Sequence, residues 1–577
     1  MKSSDYIVQF FEQHNVDTIF GYIGGMITHL VDSIDRNPNV RYVQTYHEQT
    51  AAIAAEGYAI ERNSIGVAIS TSGPGATNML TGIADAYFDS IPVIYITGQV
   101  NSYEYKYGKP IRQQGFQETD IISVVKPVTK YASLVDNVEN LRYELEKAVY
   151  IATSGRKGPV VLDLPMDIQR KEINPEELLA FTPPKEEHNT IDVDKILPII
   201  IKSERPMLLV GGGCQDKKTM ELLSEFLTNT HMPVITSLMG RGVVNETYPN
   251  YLGMVGSYGN RSANMAISNA DLLIVLGSRL DTRQTGAKIE SFLPDSTIIH
   301  VDIDNNELEY HRIVRQIKVN SSVCEFLEAI RSSIPLPIDY SNWDNYLQSI
   351  KSTYTQKNEV HRFVDNKVPY ICMDYINDIM KSGDIVTTDV GQNQMWAAQS
   401  LNLKSGQTYL TSGGLAPMGY SMPSAIGCAF SNHNRNIFSI VGDGGFHISL
   451  QALPLIAQYK LNIKVCVLNN QSLGMITQFQ HLYFEDRLAG TVEDGGYYSP
   501  NIAGLAKAYG IKYFAISEDN INDAELKAKI SMVRCCLVEF KMDKLTTVSP
   551  KLEYNKPISM PTPQLSDEEY IKAMKIN

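Results

Sequence analysis

Short runs of apolar, mostly β-branched residues recur along the chain and alternate with segments of helical periodicity. They stand at residues 65–70, 92–96, 159–164, 207–211, 272–277, 437–441 and 463–468. Unbroken apolar runs of this length are typical of parallel strands that helices cover on both faces. The pattern therefore predicts an α/β fold built from doubly wound parallel sheets.

Two stretches without periodicity divide this pattern. Residues 181–188 and 333–338 are rich in proline or charge, as linkers often are. The chain has 577 residues, whereas single hydrophobic cores stop growing at about 250–300 residues. We therefore expect three doubly wound domains, at residues 1–180, 190–335 and 360–547, followed by a C-terminal tail at residues 548–577.

Charge and composition restrict the partners that such a chain can have. The 51 basic and 64 acidic residues give a formal net charge of −13, which disfavours binding to nucleic acid or to an anionic membrane surface. No run reaches the roughly 20 apolar residues of a membrane-spanning helix. The start of the chain lacks the apolar core of a signal peptide. The seven cysteines are scattered without a CxxC pair, so we expect a cytoplasmic enzyme without a disulfide framework.

A glycine-rich segment with one carboxylate follows the apolar run at 437–441. It contains Gly442, Asp443, Gly444 and Gly445, and the next apolar run ends at Asn470, 27 positions after Asp443. That spacing accommodates one helix and a return strand, so the two polar side chains are expected at the same edge of a sheet. Carboxylate and carbonyl oxygens together with diphosphate oxygens suit octahedral Mg²⁺. The pair therefore predicts a magnesium and diphosphate site.

This pair resembles the motif with which enzymes dependent on thiamine diphosphate (ThDP) bind their cofactor and magnesium. More narrowly, the chain resembles the acetolactate synthase family, in order from about residue 3 to about residue 550. The segments that carry the resemblance are Phe20–Gly25, Ser72–Asn78, Asp389–Trp396, Ser412–Gly419 and Asn470–Met475. The resemblance implies a pyrimidine-binding, a central and a diphosphate-binding domain.

The resemblance also assigns roles to residues of the ThDP site. Glu48 would be the catalytic glutamate, whose carboxyl hydrogen-bonds the aminopyrimidine ring and promotes loss of the thiazolium C2 proton. Gln117 would contact the substrate, and Met418 would hold the cofactor in its bent shape. The metal ligands would be Asp443, Asn470 and the carbonyl of Ser472. The remaining expected ThDP contacts are Gly24, Gly25, Pro74, Asn78, Gln392, Asn393, Gly442, Gly444, Gly445 and Met475.

The middle segment resembles the family's FAD-binding segments. Glycines that follow strands are common in α/β folds without any ligand, but their number here makes FAD an expected third cofactor beside ThDP and Mg²⁺. Whether the flavin would be redox-active or structural stays open. The residues concerned are Gly211, Gly212, Gly213, Ser237, Leu238, Met239, Gly256, Arg279, Asp281, Asp302 and Ile303.

Three positions near the expected substrate bear on specificity. Phe116 lies in a segment that resembles the family's substrate-lining loop. Met166 stands where family members carry lysine, and Phe479 stands where biosynthetic members carry tryptophan. Both changes remove a polar donor and leave the cofactor motifs intact.

The expected activity is therefore a ThDP-dependent carboligase. It would decarboxylate pyruvate and transfer the two-carbon unit to an acceptor carbonyl, with an aldehyde or a keto-sugar nucleotide among the candidate acceptors. The alternatives are a flavin-linked pyruvate oxidase or dehydrogenase, a simple 2-keto acid decarboxylase, and an inactive assembly subunit. By the resemblance, a homodimer or homotetramer would place each active site between two chains.

Overall fold

The computed structural model describes residues 1–185, 190–331, 333 and 340–576. Within that part of the chain lie three parallel sheets of six strands each. The expected architecture of three doubly wound α/β domains is confirmed. The expected linkers fall partly at 186–188 and 334–338, which lie outside the described residues.

The first sheet has the strand order β2-β1-β3-β4-β6-β5, and its strands β3, β4 and β6 are buried along their whole length. Its elements are α1 Ser3–Gln13, β1 Thr18–Tyr22, α2 Thr28–Arg36, β2 Arg41–Gln44, α3 Glu48–Arg62, β3 Gly66–Ser70, α4 Pro74–Asn78, α5 Leu80–Phe88, β4 Val93–Gln99, α6 Ile121–Val125, β5 Tyr131–Leu134, α7 Leu141–Thr153, β6 Val160–Pro165 and α8 Met166–Gln169.

The second sheet has the order β12-β11-β10-β7-β8-β9. Its apolar strands β7 and β10 pair in register from Pro206 and Leu272 onward and are fully buried. Its elements are α9 Val193–Lys202, β7 Pro206–Val210, α10 Lys217–Thr230, β8 Val234–Thr236, β9 Tyr251–Met254, α11 Arg261–Asn269, β10 Leu272–Leu276, α12 Thr282–Thr285, β11 Thr297–Asp302, α13 Asn305–Glu309, β12 Ile317–Asn320 and α14 Val323–Ile330.

The third sheet has the order β14-β13-β15-β16-β18-β17. Helix α15 precedes it and packs on the second sheet, where the indole of Trp343 donates to the carbonyl of Pro206. The elements are α15 Ser341–Thr353, α16 Gln356–Phe363, α17 Val368–Ile379, β13 Ile385–Thr388, α18 Gln392–Ser400, β14 Thr408–Leu410, α19 Ser421–Ser431, β15 Ile437–Gly442, α20 Asp443–Ile448, α21 Leu453–Gln458, β16 Ile463–Asn469, α22 Gly474–Tyr483, α23 Ile502–Ala508, β17 Lys512–Ile516, α24 Ala524–Met532, β18 Cys536–Lys541 and α25 Asp567–Met574.

Helix α3 of the first domain and helix α19 of the third pack against each other so closely that their backbones are in contact. A Cβ atom added to Gly427 would lie 1.9 Å from the carbonyl oxygen of Ala54, and one added to Gly57 would lie 2.1 Å from that of Ser424. Neither position can carry a side chain without moving the helices apart. The two sheets consequently share one buried apolar cluster, to which Tyr58 contributes from α3 and Ile426 from α19.

Buried acidic side chains lie at the same junction. The hydroxyl of Ser412 donates to Asp85 on α5 at 2.6 Å, and Asp89 accepts from the amides of Gly413 and Gly414. Glu56 on α3 is fully buried beside them. Burial, reinforced by the neighbouring Asp89 carboxylate, raises the pKa of Asp85 well above its ordinary value. These carboxyl groups therefore connect the first domain to the segment that leads to Met418.

No helix in the described ranges is both long enough and apolar enough to cross a lipid bilayer.

The Asp85 carboxyl predicts a pH-dependent stability. The unfolded chain releases this proton near the ordinary pKa of 3.8, whereas the native state keeps it to higher pH. The contribution of Asp85 to stability is therefore complete below that value and is lost as the pH rises toward the raised native pKa. Asp85→Asn keeps an acceptor for Ser412 and cannot ionise. We expect it to raise the unfolding temperature relative to wild type at about pH 8, and to do so less at about pH 5.

Thermal unfolding followed by circular dichroism at both pH values measures this difference. Asp519→Asn, an exposed aspartate in the third domain, is the matched control and should shift little. An equal stabilisation by Asp85→Asn at both pH values would contradict the account.

Candidate active site

The carboxyl ends of neighbouring strands bring the predicted metal-site residues together. Strand β15 pairs in parallel with β16, with Gly442 opposite Leu468. Asp443 directly follows β15, and Asn470 directly follows β16. Their side chains are 1% and 4% exposed. The expected placement at one sheet edge therefore agrees with the register.

Asp443 has a hydrogen-bond donor that the sequence pattern did not indicate. The hydroxyl of Tyr497 donates to Oδ2 of Asp443 at 2.9 Å. Burial raises the pKa of Asp443 to about 6, and the hydrogen bond from Tyr497 acts in the opposite direction. Tyr497 lies in the irregular segment before α23, where no periodic pattern points to it.

Two glycines after Asp443 are packed so closely that neither position has room for a side chain. A Cβ atom on Gly444 would lie 2.8 Å from Cδ2 of Leu473 and 3.0 Å from Cε of Met418. One on Gly445 would lie 2.4 Å from Oδ1 of Asp389. The expected apolar support by Met418 is thus placed directly against the glycine-rich segment.

Asp389, which follows β13, fixes the loop that carries Met418. Its buried carboxylate accepts from the amides of Gly419 and Ser421, each at 2.9 Å, and from that of Val390 at 3.0 Å. Burial raises the pKa of Asp389 to about 6, and the amide hydrogen bonds oppose that rise. The sequence motif contained Asp389 but did not indicate this role, because Gly419 and Ser421 lie about 30 residues away.

Helix α18 begins at the same edge with Gln392 and Asn393, the expected diphosphate contacts. The Gln392 side chain bonds to other protein groups: its Oε1 accepts from Thr546 and its Nε2 donates to the Thr546 carbonyl. Asn393 is buried, and its Oδ1 has no hydrogen-bond partner among the described residues. Ser472 bonds through its hydroxyl to Thr477, and Met475 packs against the cluster that contains Trp396.

A second group of expected residues surrounds Glu48 at the start of α3. His47 caps this helix by accepting from the Gln49 amide. The Glu48 carboxylate is 7% exposed, and its Oε2 accepts from Nδ2 of Asn78 at 2.9 Å. A Cβ on Gly75, next to Pro74, would lie 3.1 Å from Glu48 Oε1.

Two further glycines near Glu48 pack tightly against neighbouring residues of the first domain. A Cβ on Gly24, beside Gly25, would touch Thr71, whose hydroxyl accepts from the Met26 amide. A Cβ on Gly73 would lie 2.9 Å from the Gln117 carbonyl. Gln117 has a positive φ of 62° and is therefore held in a conformation that few residues adopt.

The loop that carries Phe116 and Gln117 is organised by Glu118. Its carboxylate accepts from the amides of Lys106, Gln114 and Gly115 at 2.6–3.0 Å. Phe116 itself is 79% exposed. The family resemblance indicated Phe116 and Gln117 but not the glutamate that positions them.

The three expected substrate residues are divided between two domains. Met166 begins α8, whereas Phe479 lies on α22 and packs its ring 4.7 Å from that of Tyr483. Phe116 and Met166 belong to the first domain and Phe479 to the third. No hydrogen bond in the described chain joins the residues around Glu48 to those around Asp443.

The side chains at Asp443 fit a magnesium ion that also binds a diphosphate. The described residues contain no group of three or more His, Cys, Asp or Glu side chains able to hold a metal. The edge instead offers one carboxylate, one amide oxygen and backbone carbonyls, which are hard oxygen ligands. Because this set carries a single charge, diphosphate oxygens would complete the coordination. The buried Asn393 oxygen without a partner among the described residues is consistent with a ligand there.

A larger cavity of about 670 Å³ lies where the three domains meet. Most of the expected FAD residues line it, namely Gly212, Gly213, Ser237, Leu238, Met239, Arg279, Asp281, Asp302 and Ile303. Gly211 and Gly256 pack against backbone next to this lining. A Cβ on Gly211 would strike the carbonyl of Gly277, and one on Gly256 would strike that of Arg283. The lining carries basic side chains, among them Arg279 and Arg283, and a similar number of aspartates. Arg156, also in the lining, is paired with Asp304 and Glu307. The volume is in the range of cofactor sites.

Comparison with known proteins defines the class. Three family models match the chain: the N-terminal TPP binding domain of thiamine pyrophosphate enzymes at residues 1–124, the central domain at 193–330 and the C-terminal TPP binding domain at 389–540. Thiamine pyrophosphate is another name for ThDP. The fold is that of the ThDP-dependent enzymes, and the chain is an enzyme of this class.

Curated relatives narrow this class. The chain is 35% identical over 550 residues to the acetolactate synthase isozyme 2 large subunit of Escherichia coli, covering 95% of this chain and 97% of the relative. It is 34% identical to the acetolactate synthase large subunits of Lactococcus lactis and Corynebacterium glutamicum, covering 95% of this chain in both cases and 94% and 88% of the relatives. The chain therefore belongs to the acetolactate synthase family of ThDP enzymes.

The close approach of Gly445 to Asp389 predicts the effect of a single methyl group. In Gly445→Ala the new Cβ would lie 2.4 Å from Asp389 Oδ1. The carboxylate must then move, which weakens its hold on Gly419 and Ser421 and displaces Met418. We expect at least tenfold weaker ThDP binding, measured by isothermal titration in the presence of Mg²⁺.

Gly108→Ala is the matched control, because no atom lies within 4 Å of the added Cβ. It should bind ThDP like wild type. Wild-type affinity in Gly445→Ala would show that the Asp389 contact does not support the cofactor site.

Proposed function

We propose that the protein decarboxylates pyruvate and transfers the resulting two-carbon unit to an acceptor carbonyl, as a ThDP-dependent carboligase. The observation that carries this proposal is the pair of clusters around Glu48 and Asp443, in a chain of the acetolactate synthase family. Its relatives are named acetolactate synthases. The sequence alternatives of a flavin-linked oxidase and a simple decarboxylase have no observation in their favour.

Bound ThDP would supply the electron sink for decarboxylation and the carbon nucleophile for ligation. The Glu48 carboxyl would form a hydrogen bond with the pyrimidine ring and so set the protonation of that ring. Asn78 holds Glu48 Oε2 in place, which leaves Oε1 for this contact. Asp443, Asn470 and the Ser472 carbonyl would hold Mg²⁺, and Met418 would support the cofactor from the side of Gly444.

The choice of carboligation over simple decarboxylation rests on the loop before Phe116. Gln113 and Gln114 stand where simple decarboxylases of the wider family carry a pair of histidines. The side-chain amide of Gln113 donates to the Glu118 carbonyl. The Gln114 side chain donates to the Tyr103 carbonyl and accepts from the Lys109 ammonium group. Neither glutamine can deliver a proton as a histidine does. A two-carbon unit that is not protonated stays available to attack a second carbonyl.

The acceptor remains a separate part of the proposal. Met166 and Phe479 replace the lysine and tryptophan of biosynthetic relatives, so that the acceptor side loses a cation and an indole donor. Loss of the cation removes a charge-assisted partner for the carboxylate of a second 2-keto acid, so an aldehyde and a keto-sugar nucleotide are the acceptors to test beside pyruvate. A panel of these acceptors distinguishes them.

We further propose FAD in the cavity between the domains and an active site shared between two chains. The glycines and arginines of the cavity lining support FAD. Exposed apolar side chains near the two clusters support a shared active site. They are Ile23, Tyr46 and Phe116 in the first domain and Ile476 and Phe479 in the third. A homodimer or homotetramer of three-domain chains, divided at residues 1–180, 190–335 and 360–547, would cover them. Cytoplasmic location is part of the same proposal.

Glu48→Gln tests the catalytic part. The amide keeps the shape and the contact with Asn78 but cannot share a proton with the pyrimidine ring. We expect turnover of pyruvate to fall at least 100-fold, while ThDP affinity measured by titration changes less than about tenfold. Glu204→Gln, at a side chain that is 85% exposed, is the control and should keep wild-type turnover.

Wild-type turnover in Glu48→Gln would remove Glu48 from the mechanism. Oxygen uptake in step with pyruvate consumption in the wild-type protein would instead favour the flavin-linked oxidase.

A further inference from the structure

The chain that leaves β18 returns to the metal-site edge. We define the C-terminal strap as residues 546–552. Strand β18 lies next to β16 in the sheet and ends at Lys541, so Thr546 reaches the same edge as Asn470. Thr546 is 4% exposed. The strap begins inside the site, at the end of the third domain as the sequence bounds it, and continues into the expected C-terminal tail.

Thr546 bonds two residues of the site at once. Its hydroxyl oxygen accepts from Nδ2 of Asn470 at 2.8 Å and donates to Oε1 of Gln392 at 2.7 Å. Its backbone carbonyl accepts from Nε2 of Gln392 at 2.8 Å. Asn470 Nδ2 also lies 3.3 Å from Gln392 Oε1. The hydroxyl therefore uses both its donor and its acceptor capacity within this triangle.

This triangle decides which end of the Asn470 amide faces the metal position. An asparagine amide has an oxygen at one end and an NH₂ group at the other, and only the oxygen can bind a cation. With Nδ2 held by Thr546 and Gln392, Oδ1 is the end that remains for Mg²⁺. Without the hydroxyl, rotation of the amide by half a turn would cost less and would present NH₂ to the ion.

The strap has other attachments that keep Thr546 in place. The Val548 amide donates to Gln478 Oε1 at 3.0 Å, and the Trp396 indole donates to the Thr547 carbonyl at 2.9 Å. The Ser549 amide donates to the Tyr370 hydroxyl at 2.8 Å. Farther along, the Leu552 amide donates to the Ser257 carbonyl, in the wall of the large cavity. Helices α17, α18 and α22 thus hold the strap on several sides.

We propose that Thr546 is a positioning residue that orients the Asn470 amide, and through it the Mg²⁺ ligand oxygen, toward the diphosphate site. The proposal rests on the proposed function, since it requires Mg²⁺ at Asp443 and Asn470. It assigns the strap a role in cofactor binding, in addition to its packing between the second and third domains.

The test compares Thr546→Val, which has nearly the same shape without a hydroxyl, with Thr546→Ser, which keeps the hydroxyl. The readout is Mg²⁺ affinity at saturating ThDP, measured by isothermal titration on the full-length protein. We expect at least tenfold weaker Mg²⁺ binding in Thr546→Val and less than twofold change in Thr546→Ser. Thr547→Val, the same substitution at the exposed neighbour, should change Mg²⁺ affinity less than twofold.

A second substitution separates orientation from packing. In Asn470→Asp both ends of the side chain are oxygens, so orientation by Thr546 loses its effect on metal binding. Thr546→Val is therefore expected to change Mg²⁺ affinity less than twofold in the Asn470→Asp background. An equal loss in both backgrounds would overturn the proposal.

The remaining outcomes separate the role of the Thr546 hydroxyl from the proposed function. Wild-type Mg²⁺ affinity in Thr546→Val, or an equal loss in Thr546→Ser, would overturn the role of the hydroxyl and leave the proposed function standing. Failure of the wild-type protein to bind Mg²⁺ with ThDP would overturn both. Should valine disturb folding, as judged by circular dichroism, Thr546→Ala must show the same loss of affinity.

Discussion

The parallel register of the third sheet is the constraint on which the candidate site depends. Strands β13, β15, β16 and β18 are neighbours that run in the same direction. The residues after them, Asp389, Asp443, Asn470 and Thr546, therefore emerge at one edge. Their roles differ, because Asp389 fixes the loop of Met418, Asp443 offers the carboxylate, and Thr546 holds the Asn470 amide.

The second group of site residues depends on a different contact. Helix α3 carries Glu48 at its first turn and packs along its length against α19 of the third sheet. The glycines at 57 and 427 allow this approach, and the buried acids of α5 bind the segment at 412–414. Within one chain, the same contacts therefore hold both the helix that begins with Glu48 and the segment that leads to Met418. The chemistry we propose, however, would combine Glu48 with Asp443 of a second chain.

Much of the fold could be predicted because it depends on local patterns. The apolar runs at 207–211 and 272–277 became β7 and β10, and Asp443 and Asn470 were found from strand ends alone. Glu48 and Gln117 required the family resemblance, since a first-turn glutamate and a loop glutamine are common. Tyr497, Asp389 and Thr546 were missed as supporting residues, because each acts on a partner far away in sequence. Their hydrogen bonds exist only once strands and loops are assembled in three dimensions.

The Gln392 side chain has partners that its motif did not indicate. The resemblance assigned it to the cofactor site, and in the structure its side-chain amide bonds Thr546 and lies 3.3 Å from Gln478. The motif identified Gln392 itself, whereas the hydrogen bonds with Thr546 of the strap determine which of its side-chain atoms remain for a ligand.

Identification of the products formed from pyruvate distinguishes carboligation from simple decarboxylation and from oxidation. The protein would be supplied with ¹³C-labelled pyruvate, ThDP, Mg²⁺ and FAD, and the products followed by nuclear magnetic resonance. We expect carbon dioxide and a product in which a new carbon–carbon bond joins the two-carbon unit to an acceptor carbonyl. This product is acetolactate when pyruvate is the acceptor. Acetaldehyde as the sole organic product, or acetate formed with uptake of oxygen, would contradict the proposed carboligation.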